Sequence, residues 1–299
     1  MSDSIIDALL FGQKRAVAKA AGSVSSERLY GEATGINWCE KDYQVTPYIC
    51  EFWNTCTNIV YVYFGLYCLR ETWRLKLPRR FAWFSVFILL TGAFSALFHA
   101  TLWMLGQKLD EIFENATLIS MYHAIATGNT DTSDTFVAAH IFCCVLGILF
   151  VAGFLFCEVH LICMAIFSGR ALCSQAHLED QNIEPKNLMY SLSLRAKRAV
   201  SVTAIGGVCW LLDRVACTYL QRIKIPIFGM PQLHAWWHVF TGVALYECFV
   251  LTAALHLVRQ RKSIQSGRQG KATLPLAPLR SMWFSLSQLE TGRVGVKTS

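Results

Sequence analysis

Two stretches far apart in the chain carry residue types that could do chemistry together. One is Ser95-Ala-Leu-Phe-His99, followed by Asp110-Glu111; the other is His234-Ala-Trp-Trp-His238. Each lies at the edge of a long apolar run, where an ionisable side chain costs about 3 kcal/mol and is by default a functional candidate. Residues four apart share one helix face, so Ser95 and His99 point the same way, as do His234 and His238.

Imidazoles at i and i+4 are the geometry by which a single helix chelates zinc. The His234/His238 pair lacks the glutamate of an HExxH motif, so that helix supplies no base. With His99 as third ligand, a tetrahedral zinc ion would keep one position open for water, the arrangement of a catalytic rather than a closed structural site. Zinc brings the pKa of bound water towards about 7 and polarises a carbonyl. Asp110 could accept the water proton and pass it to a leaving nitrogen, while Ser95 could hydrogen-bond a developing oxyanion. Taken singly, each has a plainer reading. Asp110 is also a favourable charge at a helix N-terminus, Ser95 a helix-packing hydroxyl, and a solitary histidine at a helix end is usually structural.

A second polar cluster precedes the first apolar run. Glu40, Asp42, Glu51, the amide oxygen of Asn37 and the carbonyl of Trp38 offer five oxygen donors. That number suits calcium with waters completing its shell, although a solvated acidic loop would look the same. His123, His140 and His160 show no partner spacing. Asn115-Ala-Thr117 fits a glycosylation sequon but falls inside an apolar run, where it would be silent.

The elements that must position these residues are apolar helices. Of the 299 residues, 54% are hydrophobic and only 16% charged, and the mean hydropathy is positive. This is too apolar for an ordinary soluble domain and points to an all-α polytopic membrane protein. The net charge of +7 would suggest nucleic acid in a soluble chain. Here Lys and Arg gather between apolar runs and after the last, so the expected partner is the lipid bilayer and not nucleic acid. No CxxC pair occurs among the twelve cysteines, which leaves a thiolate zinc site unsupported. Near the N-terminus, Lys14 and Arg15 follow the apolar patch Ile5–Phe11, the wrong order for a cleaved signal peptide; a short interfacial helix is expected instead.

Seven transmembrane helices account for the rest. The expected spans are Phe52–Leu69, Phe81–Leu102, Asp110 to about Thr127, two within and beyond Thr135–Phe167 with a break near Gly153, Ala199–Leu220 and Leu233–Val258. One helix over Thr135–Phe167 would be about 50 Å long, well beyond a bilayer core of about 30 Å. Two spans also put the basic loop from Arg170 to Arg198 on the same side as Arg70–Arg80. An N-terminal arm (1–36) thus precedes a seven-helix domain (37–258) and a basic cytosolic tail (259–299). The N-terminus is then lumenal and the C-terminus cytosolic, with all three candidate histidines on the lumenal side.

The residues now resemble a known family, the alkaline ceramidases. Three blocks carry the resemblance: Asn37-Trp-Cys-Glu-Lys-Asp-Tyr with Glu51-Phe-Trp-Asn54; Ser95-x-x-x-His99 with Asp110-Glu111; and His234-Ala-Trp-Trp-His238 followed by Thr241-Gly242. The Ser, Asp and three-His set is shared with a wider superfamily that includes the adiponectin and progestin receptors; the N-terminal block points to ceramidases. The resemblance implies a seven-helix amidase of the endoplasmic reticulum or Golgi that hydrolyses ceramide to a sphingoid base and a fatty acid. It implies zinc on His99, His234 and His238, with Ser95 and Asp110 as catalytic partners. It also implies calcium on Asn37, Trp38, Glu40, Asp42 and Glu51, and a disulfide between Cys39 and Cys217. The family pattern has Asp where Asn37 stands and Asn where Asp42 stands, a swap that keeps charge and donor number. The alternative is a seven-helix zinc-containing receptor that senses a lipid or hormone without turning it over.

Overall fold

In a computed structural model of the chain the described residues are 36–126, 134–146, 159–166, 168–170 and 186–267. Among them the regular structure is entirely helical. In chain order the helices are α1 (Phe52–Thr57), α2 (Ile59–Arg74), α3 (Arg79–Thr101), α4 (Met104–Ala126) and α5 (Asp134–Leu146). There follow α6 (residues 159–166), α7 (Lys186–Val215), α8 (Cys217–Leu220) and α9 (Leu233–Gly267). The expected arm and its apolar patch at 1–35, the break near Gly153, and the tail from 268 onwards lie outside the described residues.

Two described helical segments, Arg79–Thr101 and Leu233–Val258, are long and apolar enough to cross a membrane. α9 occupies the centre. Every residue from Ala244 to Leu255 is buried, so this part of the helix is covered on all sides. Around it the core gathers Tyr61 and Cys68 of α2, Phe81, Phe84 and Ile88 of α3, Met121 and Ile125 of α4, and Leu192 and Ala196 of α7. The outer faces are apolar too, with Ile59, Tyr63 and Leu66 of α2 and Val200, Val208 and Leu211 of α7 exposed. Polar Asn58, Ser85, Thr91 and Glu247 lie inside. That is the reverse of the distribution water selects.

α3 and α9 run antiparallel along their length. At one end Arg80 meets His256 Nδ1 at 3.0 Å; at the other, His99 meets His234. Glycine permits the close crossings. A Cβ on Gly92 would stand 2.8 Å from Tyr61 Cβ, and one on Gly242 2.8 Å from Val60 Cγ1.

Several boundaries differ from expectation. The run expected as one span from Phe52 breaks at Asn58, whose side-chain amide takes the Asn54 carbonyl at 2.9 Å in place of the helical backbone bond. α7 begins at Lys186, well before Ala199, because Arg195 and Arg198 reach Glu247 on α9 at 2.7 and 3.2 Å, which anchors the basic turns. It stops at Val215, before Leu220, where Ala216 leaves the helical region with φ −110° and ψ 10°. α9 continues past Val258 through good helix formers to Gly267, as helix propensity allows.

Candidate active site

His99 stands in the last turn of α3, which ends when Leu102 adopts the left-handed conformation at φ 47°. The last carbonyls of a helix need outside donors. Here Glu51 N–H donates to the His99 carbonyl at 3.0 Å and Cys50 N–H to the Ala100 carbonyl at 2.9 Å. This backbone pairing delivers the Glu51 carboxylate to the His99 ring. Nδ1 lies 2.5 Å from Glu51 Oε2, and both residues are buried. A carboxylate only accepts, so Nδ1 carries the proton and Nε2 presents its lone pair.

His238 is oriented by the break at Asn58. The Asn54 carbonyl released there accepts from His238 Nδ1 at 3.1 Å, with Thr57 Oγ1 also at 3.1 Å. A carbonyl oxygen is again an acceptor alone, so His238 also keeps Nε2 for a ligand. His234, in the first turn of α9, lies against the Trp38 indole with ring centroids 3.6 Å apart and 19° between planes. Its backbone N–H donates to Asp213 Oδ1 at 3.2 Å, while Asp213 Oδ2 accepts from Cys39 N–H at 3.0 Å. Asp213 therefore ties the N-terminal segment to the start of α9. Its neighbour Arg214 packs on aromatic rings. The guanidinium lies over Trp38 and Trp210, at 4.9 and 5.4 Å from their ring centres.

The three rings converge. Each offers a nitrogen within 4.8 Å of the others, and they are only 1%, 3% and 2% exposed at His99, His234 and His238. His99 Nε2 and His234 Nε2 face each other at 3.3 Å. Two nitrogens bound at about 2.05 Å to one tetrahedral ion stand about 3.4 Å apart. The donor set, its spacing and the outer partners that fix the tautomers all fit a transition-metal ion such as zinc.

Beside the cluster is a cavity of about 40 Å³, lined by Trp38, Phe98, Asp110, Trp210, His234 and His238 among others. A water needs about 10–15 Å³, so the space suits a metal-sized guest and a water. Asp110 reaches it from α4 because the turn after α3 is very short. Ser95 is buried one turn before His99 but is not among the cavity-lining residues.

The N-terminal donors are close together and already engaged. Glu40 caps α1, its two oxygens accepting from Trp53 N–H at 2.7 Å and Asn54 N–H at 2.8 Å, the donors that a helix start leaves open. Burial nevertheless pushes its carboxyl up to about 7. Glu51 Oε1 accepts from Trp38 N–H at 3.1 Å, and Asn37 Nδ2 donates to Asp42 Oδ1 at 3.3 Å. Asn37 Oδ1 is buried with no hydrogen-bond donor among the described residues, an acceptor suited to a hard cation. Glu40, Asp42 and Glu51 do not, however, converge on one point as the three histidines do. Cys39 and Cys217 form a disulfide with Cα atoms 5.2 Å apart.

Sequence reasoning gave Glu51 to a cation and missed its place behind His99. It also missed Asn54 and Asp213, because the carbonyl and backbone contacts that matter there leave no side-chain signature. The paired Trp38–Glu51 segment was visible only as part of a motif.

The model of the family described as Ceramidase matches residues 31–275. The chain is 27% identical over 258 residues to an alkaline ceramidase of Saccharomyces cerevisiae, covering 77% of this chain and 78% of that protein. It is 28% identical over 236 residues to alkaline ceramidase 1 of Mus musculus, covering 75% and 80%. To an alkaline ceramidase of Arabidopsis thaliana it is 28% identical over 234 residues, covering 76% and 85%.

Proposed function

Since this chain belongs to the alkaline ceramidase family, we propose that it is a zinc-dependent ceramide amidohydrolase with the three-histidine cluster as its centre. The observation that carries the reading is the convergence of His99, His234 and His238 beside a cavity whose wall includes Asp110. Zinc held there would polarise the amide carbonyl and supply an activated water. Glu51 and the Asn54 carbonyl hold His99 and His238 with Nε2 inward. Asp110 takes a proton from the attacking water and returns it to the leaving nitrogen, giving a sphingoid base and a fatty acid. Ser95 donates a hydrogen bond to the developing oxyanion; its burial one turn before His99 requires that the acyl group enter along that face of α3.

The same reading takes α1 with α2, then α3, α4, α5, α6, α7 and α9, as the seven spans of a bilayer-embedded bundle. The apolar outer faces and the polar residues buried inside support it. The basic clusters at Arg70–Arg80, Arg170–Arg198 and Arg259–Lys262 then face the cytosol, and the site faces the lumen of the endoplasmic reticulum or Golgi. A site at that depth suits ceramide, whose chains resist leaving lipid by about 0.8 kcal/mol per CH₂. Calcium belongs at Asn37, Trp38, Glu40, Asp42 and Glu51, with the buried Asn37 oxygen as its anchor. There it would brace Glu51 and Trp38, which contact His99 and His234. The Cys39–Cys217 bridge secures the same segment in an oxidising compartment.

The relatives favour an enzyme over the receptor alternative. Purified protein in detergent, given a fluorescent ceramide, should release fatty acid, and His234→Ala should not. Binding without turnover by the wild-type protein would return the receptor reading.

A further inference from the structure

Trp38 stands at the candidate active site with one donor group unmatched. Its indole lies on His234, with ring centroids 3.6 Å apart, and 6.4 Å from the His99 ring. The same side chain lines the cavity beside Asp110, His234 and His238. Its Nε1–H is buried and meets no acceptor, the only indole nitrogen in that position among the described residues. An indole nitrogen donates and cannot accept, and folded proteins seldom leave a buried donor without a partner away from a ligand site. A phenylalanine would fill the same stack without that penalty.

The ring is held on several sides. Trp210 packs edge-on with centroids 6.2 Å apart, and the Arg214 guanidinium lies 4.9 Å from the ring centre. The backbone N–H of Trp38 donates to Glu51 Oε1 at 3.1 Å, and the next residue, Cys39, is bridged to Cys217. A cation over an indole draws on its π electrons, which makes the N–H a stronger donor. A donor fixed before the substrate arrives needs no reorganisation as charge develops.

The rest of the cavity wall is poor in donors. Asp110, Glu111 and Glu114 line it, and ionised carboxylates only accept. The Gln107 amide, also in the wall, already donates to Glu111 Oε1. Of the three tryptophans in the wall, Trp38 is the one stacked on a histidine of the cluster. Amide hydrolysis needs donors at the carbonyl oxygen above all, because that atom gains negative charge in the tetrahedral state.

We propose that the Trp38 indole N–H donates a hydrogen bond to the amide oxygen of ceramide and holds it most strongly in the tetrahedral state. This rests on the amidase reading above and adds a donor to the one assigned to Ser95. As the water oxygen bonds to the carbonyl carbon, the π pair moves onto the amide oxygen and the indole keeps its proton. When the C–N bond breaks, that pair re-forms the carbonyl of the fatty acid.

Trp38→Phe keeps a ring for His234 and the main-chain carbonyl of residue 38 but removes the N–H. In the full-length protein in detergent, kcat for a fluorescent ceramide should fall about 10²–10³-fold, with KM and zinc content unchanged. A kcat near the wild-type value overturns the proposal. So does a fall in kcat that accompanies loss of zinc, which would make Trp38 a support for His234 alone. A second readout needs neither turnover nor the variant's folding. In ¹⁵N-tryptophan-labelled wild-type protein, the Trp38 indole proton should move downfield when a ceramide analogue with a tetrahedral phosphinate in place of the amide binds. Binding without that shift overturns the proposal. If the shift occurs but the wild-type protein leaves ceramide intact, the amidase reading fails and the Trp38 contact stands.

Discussion

The two histidine groups are built by different means. Around His99, His234 and His238 the irregular backbone does the positioning: a carbonyl freed at the Asn58 break, the Cys50–Glu51 segment paired with the end of α3, and an indole laid on His234. Around His123, His140 and His160 the positioning comes from side chains on three helices, with Asn115 setting one tautomer. The first group lies against a cavity that admits a further ligand; the second has the Cys144 sulfur against His160. Contact between rings alone does not make a reactive site. An open position and a nearby carboxylate do.

The sharpest way to break this comparison is to exchange its members. His238→Ala should abolish ceramide turnover in detergent extracts while His140→Asn retains it; equal losses in both would show that the second group also serves the reaction. Asp110→Asn should lower kcat by about 10²–10⁴-fold with metal content unchanged, as steady-state kinetics beside elemental analysis will report. Glu51→Gln should weaken zinc affinity by about 10–100-fold. Excess zinc should then restore turnover, as it cannot for Asp110→Asn.

The smallest expected effect concerns Glu40. Its carboxyl is raised from 4.5 to about 7, so the folded protein holds a proton that the unfolded chain has released. Stability from this group is complete below about 4.5 and is lost as pH rises through about 7. Calcium demands the ionised form. Thermal melting in chelator should therefore show a midpoint that falls across that window, and calcium should reduce the fall. In Glu40→Gln the slope should disappear.

Much of the first site was legible because its signals are local. An i,i+4 imidazole pair, a histidine one turn after a serine and an acid near the start of the next apolar run can all be read along a line, although the helix begins at Met104, six residues before Asp110. The Asn58 break was not. Nothing between Phe52 and Asn58 is a proline or glycine, and the break depends on a side-chain amide that competes for a carbonyl. Asn115 read as a silent sequon, consistent with its full burial, yet its oxygen sets the His160 ring.

The sequence by itself determined the helical composition, the family, and the three histidines, because periodicity and motif spacing are properties of neighbours in the chain. Tertiary structure decided which acceptor stands behind each ring, that Glu51 turns to His99, and that His123, His140 and His160 meet at all. Contacts between helices depend on the rotation and depth at which each one packs, and those follow from the burial of the whole core around α9 rather than from any short stretch of residues.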